Sequence, residues 1–150
     1  MRVRQSLFPI LALAMIASQV ACATAPTPTP LPPTPTPTPV LATSAEQIVG
    51  TWLGIKADGM YERFNLDGTS QVAVSLDTLA DKPDTEMTFR FEGTRFIYTE
   101  VKATGLPSCG STPGIYEVQL LPNGNIKFVR IQDACGPRGR STAQERKPVG

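Results

Sequence analysis

A proline and threonine tract from Pro26 to Pro39 divides the chain into two unequal parts. Eight of the fifteen prolines lie in this tract, where proline and threonine alternate almost without interruption. Proline lacks the amide hydrogen that a helix or an inner strand needs, and the tract has few apolar side chains for a core. Such a segment favours extended polyproline II structure, at about 3.1 Å per residue. The tract is therefore predicted to be a spacer, and the globular domain is predicted to span residues 46–150.

The segment before this tract has the pattern of an export signal. Arg2 and Arg4 precede an uncharged and mostly apolar run from Leu7 to Ala21. A charged start, an apolar centre and small residues at the end are typical of a secretory signal peptide. The run is shorter than the roughly 20 residues of a membrane-spanning helix, although a retained span is an alternative. Residues 1–21 are therefore predicted to be a signal peptide.

Cys22 directly follows Ala21, at the end of this segment. The arrangement resembles the lipobox of bacterial lipoproteins, except that Gln19 stands where leucine is usual. The resemblance implies that Cys22 receives a lipid and becomes the first residue of the mature protein, with residues 22–45 as attachment point and linker. Two or more acyl chains would hold such a protein stably on a membrane. Ordinary cleavage without a lipid is the alternative, and both predict an extracytoplasmic, oxidising location.

The residues after the linker change to short runs in which apolar and polar side chains alternate. Ser44 and Gln47 form a weak capping box that predicts one helical turn at the entrance of the domain. About seven strands follow between residues 51 and 133, joined as consecutive hairpins with no helical period. An Asp67-Gly68 pair predicts a type I′ turn in the first hairpin, and Asn123-Gly124 marks a second hairpin.

Up-and-down connections of this kind favour a closed barrel over a sandwich, because an open sheet of many strands leaves unprotected edges. The predicted fold class is all-β, an antiparallel meander of about seven to eight strands forming a small barrel. Apolar side chains in its strands are predicted to line the lumen, where they either contact a small apolar ligand or fill the core. These candidates are Phe64, Val72, Val74, Phe89 and Phe91.

Gly50-Thr51-Trp52, at the start of the first predicted strand, resembles the Gly-x-Trp signature of lipocalins and their calycin relatives. The resemblance implies a lipocalin-like barrel in which Trp52 plugs one end and a basic residue stacks on it. Arg130, Arg138 and Arg140 are the candidates for that residue. The domain is also similar to small lipid-anchored bacterial proteins with an Ile-Val-Gly-Thr-Trp segment after a Thr-Pro stalk, a group without an assigned activity.

Cys109 and Cys135 are the two cysteines left when Cys22 is assigned to lipid attachment. In an exported protein, the two remaining cysteines most simply form a disulfide bond. Antiparallel strands between them would bring both cysteines to the same end of the sheet. A redox-active pair is an alternative, although it usually has a Cys-x-x-Cys spacing. A metal site with two thiolates and no histidine is a weaker alternative.

Composition excludes several function classes. The chain has no histidine, which excludes serine-histidine triads and histidine-ligated zinc or haem. Removing Arg2 and Arg4 from the 14 basic residues leaves 12 against 13 acidic residues, and no basic stripe for nucleic acid. No enzyme, catalytic residue, metal or cofactor is therefore predicted. The first hypothesis is a membrane-anchored binding protein for a small apolar ligand, and the alternative is a cell-surface structural or protein-interaction module with a filled core.

Overall fold

The computed structural model describes residues 38–56 and 59–150. The predicted signal peptide, Cys22 and nearly all of the proline and threonine tract lie outside the described residues. The predictions of lipid attachment and of a spacer are therefore predictions still.

The described residues form an antiparallel sheet that closes on itself. Its strands are β1 (Val40–Leu41), β2 (Gly50–Gly54), β3 (Tyr61–Phe64), β4 (Thr69–Ala73), β5 (Thr85–Glu92), β6 (Arg95–Ala103), β7 (Gly114–Leu120), β8 (Ile126–Gln132) and β9 (Glu145–Pro148). Each strand from β2 to β8 pairs with the next, and β9 pairs back onto β2. Strand β1 lies outside this ring of eight and pairs with β7. The predicted all-β, up-and-down barrel is confirmed.

The folded domain begins before residue 46. Val40 pairs with Leu120, Leu41 pairs with Gln119, and Ala42 is fully buried. These apolar residues join the domain because β6 pairs only with residues 114–116 of β7, so the end of β7 offers backbone partners, and the core covers Ala42. The end of the predicted linker is thus part of the sheet.

Two short helical segments accompany the strands. A 3-10 turn at Ala45–Gln47 precedes β2, as the sequence predicts, and the Gln47 side chain accepts hydrogen bonds from the backbone N–H groups of Thr43 at 2.7 Å and Ser44 at 3.2 Å. Helix α1 (Gly136–Thr142) lies between β8 and β9, in a segment for which no helix is predicted. Its seven residues include two glycines and a proline, so it shows no helical periodicity.

The Asp67-Gly68 turn differs from its prediction. A type I′ turn needs positive φ at both central residues, and among the described residues positive φ occurs at glycines alone, with Gly68 at +81°. The N–H of Gly68 donates to the carbonyl of Asn65 at 3.2 Å, and the Asp67 carboxylate accepts from the N–H of Thr69 at 2.9 Å. These bonds favour a type I turn followed by a left-handed glycine, the common three-residue hairpin loop.

Aromatic side chains fill one part of the barrel interior. Phe64 lies among Phe89, Phe96 and Phe128, with ring centroids 5.3, 5.9 and 5.8 Å away. Offset and edge-to-face contacts at these distances are favourable beyond the area that they bury. This part of the lumen is therefore a packed core.

Candidate functional site

A cavity of about 130 Å³, partly open to solvent, lies beyond the aromatic core. Side chains of β3 to β6 form one wall, and the loop of residues 104–113, helix α1 and β9 form the other. We call residues 104–113 the β6–β7 loop. The lining residues are Met60, Glu62, Val72, Thr85, Met87, Tyr98, Glu100, Leu106, Pro107, Cys109, Pro137, Arg138, Ser141, Thr142 and Arg146.

A disulfide bond holds the second wall together. Cys109 in the β6–β7 loop is bonded to Cys135, directly before α1, with the Cα atoms 5.6 Å apart. The predicted pairing is confirmed. Glu100 on β6 fastens the same loop, because its carboxylate accepts the N–H of Cys109 at 2.8 Å and the hydroxyl of Ser108 at 2.5 Å. The loop and helix that border the cavity are therefore covalently connected.

The first buried polar cluster centres on Glu62. Its Oε2 lies 2.8 Å from Nη1 of Arg146, an ion pair that lacks the directional geometry of a hydrogen bond. Its Oε1 accepts from the Ser70 hydroxyl at 3.1 Å and from the Tyr98 hydroxyl. Arg146 also lies over the ring of Phe128, 4.6 Å from the centroid. Burial, and then the charge of Glu62, raise the pKa of Tyr98 well above its usual value, so Tyr98 stays a neutral donor.

The second buried polar cluster centres on Asp133. Arg138 binds its carboxylate with two hydrogen bonds, from Nε at 2.7 Å and from Nη2 at 2.9 Å, and Nη2 also donates to the carbonyl of Thr112 at 2.8 Å. The Tyr116 hydroxyl and the N–H of Cys135 donate to the same carboxylate. The cluster therefore joins β7, the end of β8 and α1.

The two charges of this cluster stabilise each other. Burial raises the pKa of Asp133, but the hydrogen bonds from Arg138, Tyr116 and Cys135 outweigh burial and hold this pKa below its usual value. Burial, followed by the hydrogen bond to Asp133, raises the pKa of Tyr116 far above its usual value. Arg138 and Asp133 are therefore both charged near neutral pH, and Tyr116 is neutral.

The predicted ligand-lining residues lie in three different environments. Val72 borders the cavity, whereas Phe64 and Phe89 belong to the packed aromatic core and Phe91 packs against it, partly buried. Val74 is 62% exposed, so the prediction that it faces the lumen is wrong. Strand β4 ends at Ala73, and the N–H of Val74 bonds the Asp84 side chain at 2.9 Å, which turns the chain away from the barrel.

The residues predicted to plug one end of the barrel also lie in different environments. Trp52 is buried in the core, where its Nε1 donates to the carbonyl of Ile48 at 2.7 Å. Arg138 is bound to Asp133, and Arg130 and Arg140 are exposed. Within the described residues, the cation over an aromatic ring is Arg146 on Phe128.

Sequence reasoning missed the polar clusters, although one signal was present. Glu62 alternates with Met60 and Phe64 on a face predicted to be apolar, and a charge at such a position indicates a buried partner. Nothing in the neighbourhood of Asp133 and Arg138 along the chain indicates that they are buried. Arg146 lies in a short charged strand that has no apolar pattern.

Both walls carry apolar and polar side chains, so a small molecule in the cavity would contact both kinds together. No protein-family model, curated protein or solved structure matches this chain. Within residues 38–56 and 59–150, no three acidic or cysteine side chains are grouped as a metal site, and no helix is both long enough and apolar enough to cross a bilayer.

Proposed function

We propose that this chain is a lipid-anchored, extracytoplasmic, lipocalin-like protein that binds a small and largely apolar ligand in the cavity. The cavity of about 130 Å³ is the observation that carries the proposal. Small barrels of eight strands commonly have interiors filled by side chains or with room for one small ligand. Here aromatic rings fill one part, and the space lies beside Val72, Met87 and Leu106.

The arrangement favours binding over catalysis. The two carboxylates that line the cavity are already occupied, Glu62 by Arg146 and Tyr98, and Glu100 by Ser108 and Cys109. A general acid or base needs a proton that it can exchange with substrate. Carboxylates held by several donors instead stabilise the walls of a binding site.

Native mass spectrometry of the full chain, exported and isolated under oxidising conditions, tests the binding proposal. Val72→Phe places a ring in the cavity, whereas Val74→Phe places the same ring on the surface two residues away. We expect a small-molecule adduct on wild type and on Val74→Phe, and its loss from Val72→Phe. An adduct that survives in Val72→Phe would place the ligand elsewhere.

A protein with no adduct in any of the three forms would favour the second candidate function. That candidate is a structural or protein-interaction module of the cell surface. The packed aromatic core is the observation that favours it, because such a core needs no ligand for stability.

The anchor is tested separately by growing cells with labelled palmitate. We expect label on wild type and no label on Cys22→Ser, because the thiol of Cys22 is the proposed attachment atom. Cys109→Ser serves as the control, since that cysteine is bonded to Cys135. Unlabelled wild type would contradict the anchor without affecting the cavity.

A further inference from the structure

We infer that the cavity binds a ligand that carries both an apolar chain and a cationic amine, and that the amine binds the carboxylate of Glu100. The inference rests on the proposed function, because it names the ligand class for the same cavity. It is carried by the charge balance of the buried side chains, by the position of Glu100 and by the opening of the cavity to solvent.

The buried charged side chains around the cavity carry one more negative charge than positive charges. Glu62 forms an ion pair with Arg146, and Asp133 forms one with Arg138. Glu100 is only 8% exposed, and among the described residues it forms no ion pair. Buried charges are usually paired, because removing a charge from water without a counter-ion is costly. A cationic ligand would supply the missing counter-ion.

The carboxylate of Glu100 lies at the cavity wall and can accept further hydrogen bonds. Met87, its partner on β5, lines the cavity, and so does Cys109, whose N–H donates to this carboxylate at 2.8 Å. The Ser108 hydroxyl is the second donor. An ionised carboxylate has about four acceptor sites, so these two bonds leave about two of them. Glu100 can therefore accept from an ammonium group while it still holds the β6–β7 loop.

The opening of the cavity suits a ligand with a charged end. Because the cavity is partly open to solvent, an ammonium group at its wall keeps part of its hydration and avoids the full cost of burial. Val72, Met87 and Leu106 offer apolar contacts to the rest of the ligand, which can extend through the opening. Arg138 and Arg146 are each paired with a carboxylate, so neither leaves an uncompensated positive charge that would favour an anion.

Hexylamine, hexanol and hexanoate are the matched probes, because they share a linear chain and are cationic, neutral and anionic at pH 7. Each is titrated against the full chain with its disulfide intact, and binding is followed by the NMR signals of the methyl groups of Val72 and Met87. We expect hexylamine to bind about tenfold more tightly than hexanol, because a charge-assisted hydrogen bond is roughly twice as strong as a neutral one. Hexanoate should bind most weakly, since it has no donor for Glu100 and carries the same charge.

Glu100→Gln tests the assignment to this residue, because glutamine keeps the shape and an acceptor oxygen but removes the charge. Glu86→Gln is the control, since Glu86 lies on the paired strand β5 and forms an exposed ion pair with Lys102. We expect the ratio of hexanol to hexylamine dissociation constants to fall towards one in Glu100→Gln and to stay near ten in Glu86→Gln. A ratio that stayed near ten in Glu100→Gln would overturn the assignment.

Wild-type protein tests the inference even if Glu100→Gln does not fold. We expect nuclear Overhauser contacts between the Glu100 side chain and the CH₂ group beside the nitrogen of hexylamine, and their absence would overturn the assignment. Equal binding of hexylamine and hexanol would overturn the inference and leave the cavity as an apolar binding site. Tightest binding of hexanoate would overturn the cationic ligand class. Failure of all three probes to bind would count against the proposed function as well.

Discussion

Arg138 and Arg146 are buried guanidiniums, and each has its own carboxylate. Burying a single charge is costly, whereas a pair with good geometry recovers much of that cost through mutual attraction and hydrogen bonds. Arg138 meets this condition with a two-bond contact to Asp133, whose side chain is fully buried. The pair therefore stabilises the folded state only while both charges are present.

Asp133→Asn should lower the free energy of unfolding by about 3 kcal/mol at pH 7, because it leaves Arg138 charged and buried without its partner. Urea denaturation followed by the fluorescence of Trp52, the single tryptophan, measures this change. Glu92→Gln is the control. It removes an exposed ion pair with Arg90, and such pairs contribute little.

The difference in the free energy of unfolding between wild type and Asp133→Asn should depend on pH. The folded pKa of Asp133 lies below its usual value, so its stabilisation is present above about pH 4 and is lost as the pH falls towards the folded pKa. The difference between wild type and Asp133→Asn should therefore shrink below about pH 4. A difference that stayed constant from pH 7 to pH 3 would show that ionisation of Asp133 does not stabilise the fold.

The hairpins are the elements that sequence patterns predict best. Alternating apolar residues and glycine-containing turns locate most of the strands from β2 to β8, because both signals lie within a few residues. Sequence patterns do not predict strand β9, because its sequence Glu-Arg-Lys-Pro has no apolar alternation. This strand is held by pairing with β2 and β8. Sequence patterns also do not predict helix α1, because it is short and is positioned by Arg138 and the disulfide bond.

Two glycines with the same φ angle allow a comparison of two hairpins. Gly68 and Gly124 both have φ of +81°, but a Cβ at Gly68 would lie 2.8 Å from the carbonyl oxygen of Phe89, whereas at Gly124 it would meet nothing within 4 Å. Gly124→Ala should cost about 1 kcal/mol from its backbone conformation alone. Gly68→Ala should cost clearly more, because the backbone of β5 must also shift. Equal losses in urea denaturation would contradict this account of the first hairpin.

The disulfide bond should contribute to stability through the segment that it closes. Cys109 and Cys135 are 26 residues apart, and the chain-entropy treatment gives about 3.5 kcal/mol for a loop of this size. The double variant Cys109→Ser, Cys135→Ser should lose roughly that amount in urea denaturation. Reductant should destabilise wild type similarly and leave the double variant unchanged. A wild-type protein insensitive to reductant would contradict a stabilising role for the bond.

At the scale of the molecule, the barrel has a filled part and a polar part. Closure brings Glu62 of β3, Tyr98 of β6 and Arg146 of β9 together, although they are far apart in the sequence. No local pattern predicts which residues of distant strands meet across a lumen. The sequence therefore predicts the barrel, Trp52 in its core and the disulfide bond, whereas the position of the cavity depends on long-range packing.

The aromatic part of the lumen is packed, and the space for a ligand lies outside it. Xenon binds small apolar cavities, and a crystal of the oxidised protein under xenon pressure would locate it directly. We expect a xenon atom beside Val72 and Met87, and none among the rings of Phe64, Phe89 and Phe96. Xenon among those rings, or no xenon inside the barrel, would contradict the claim.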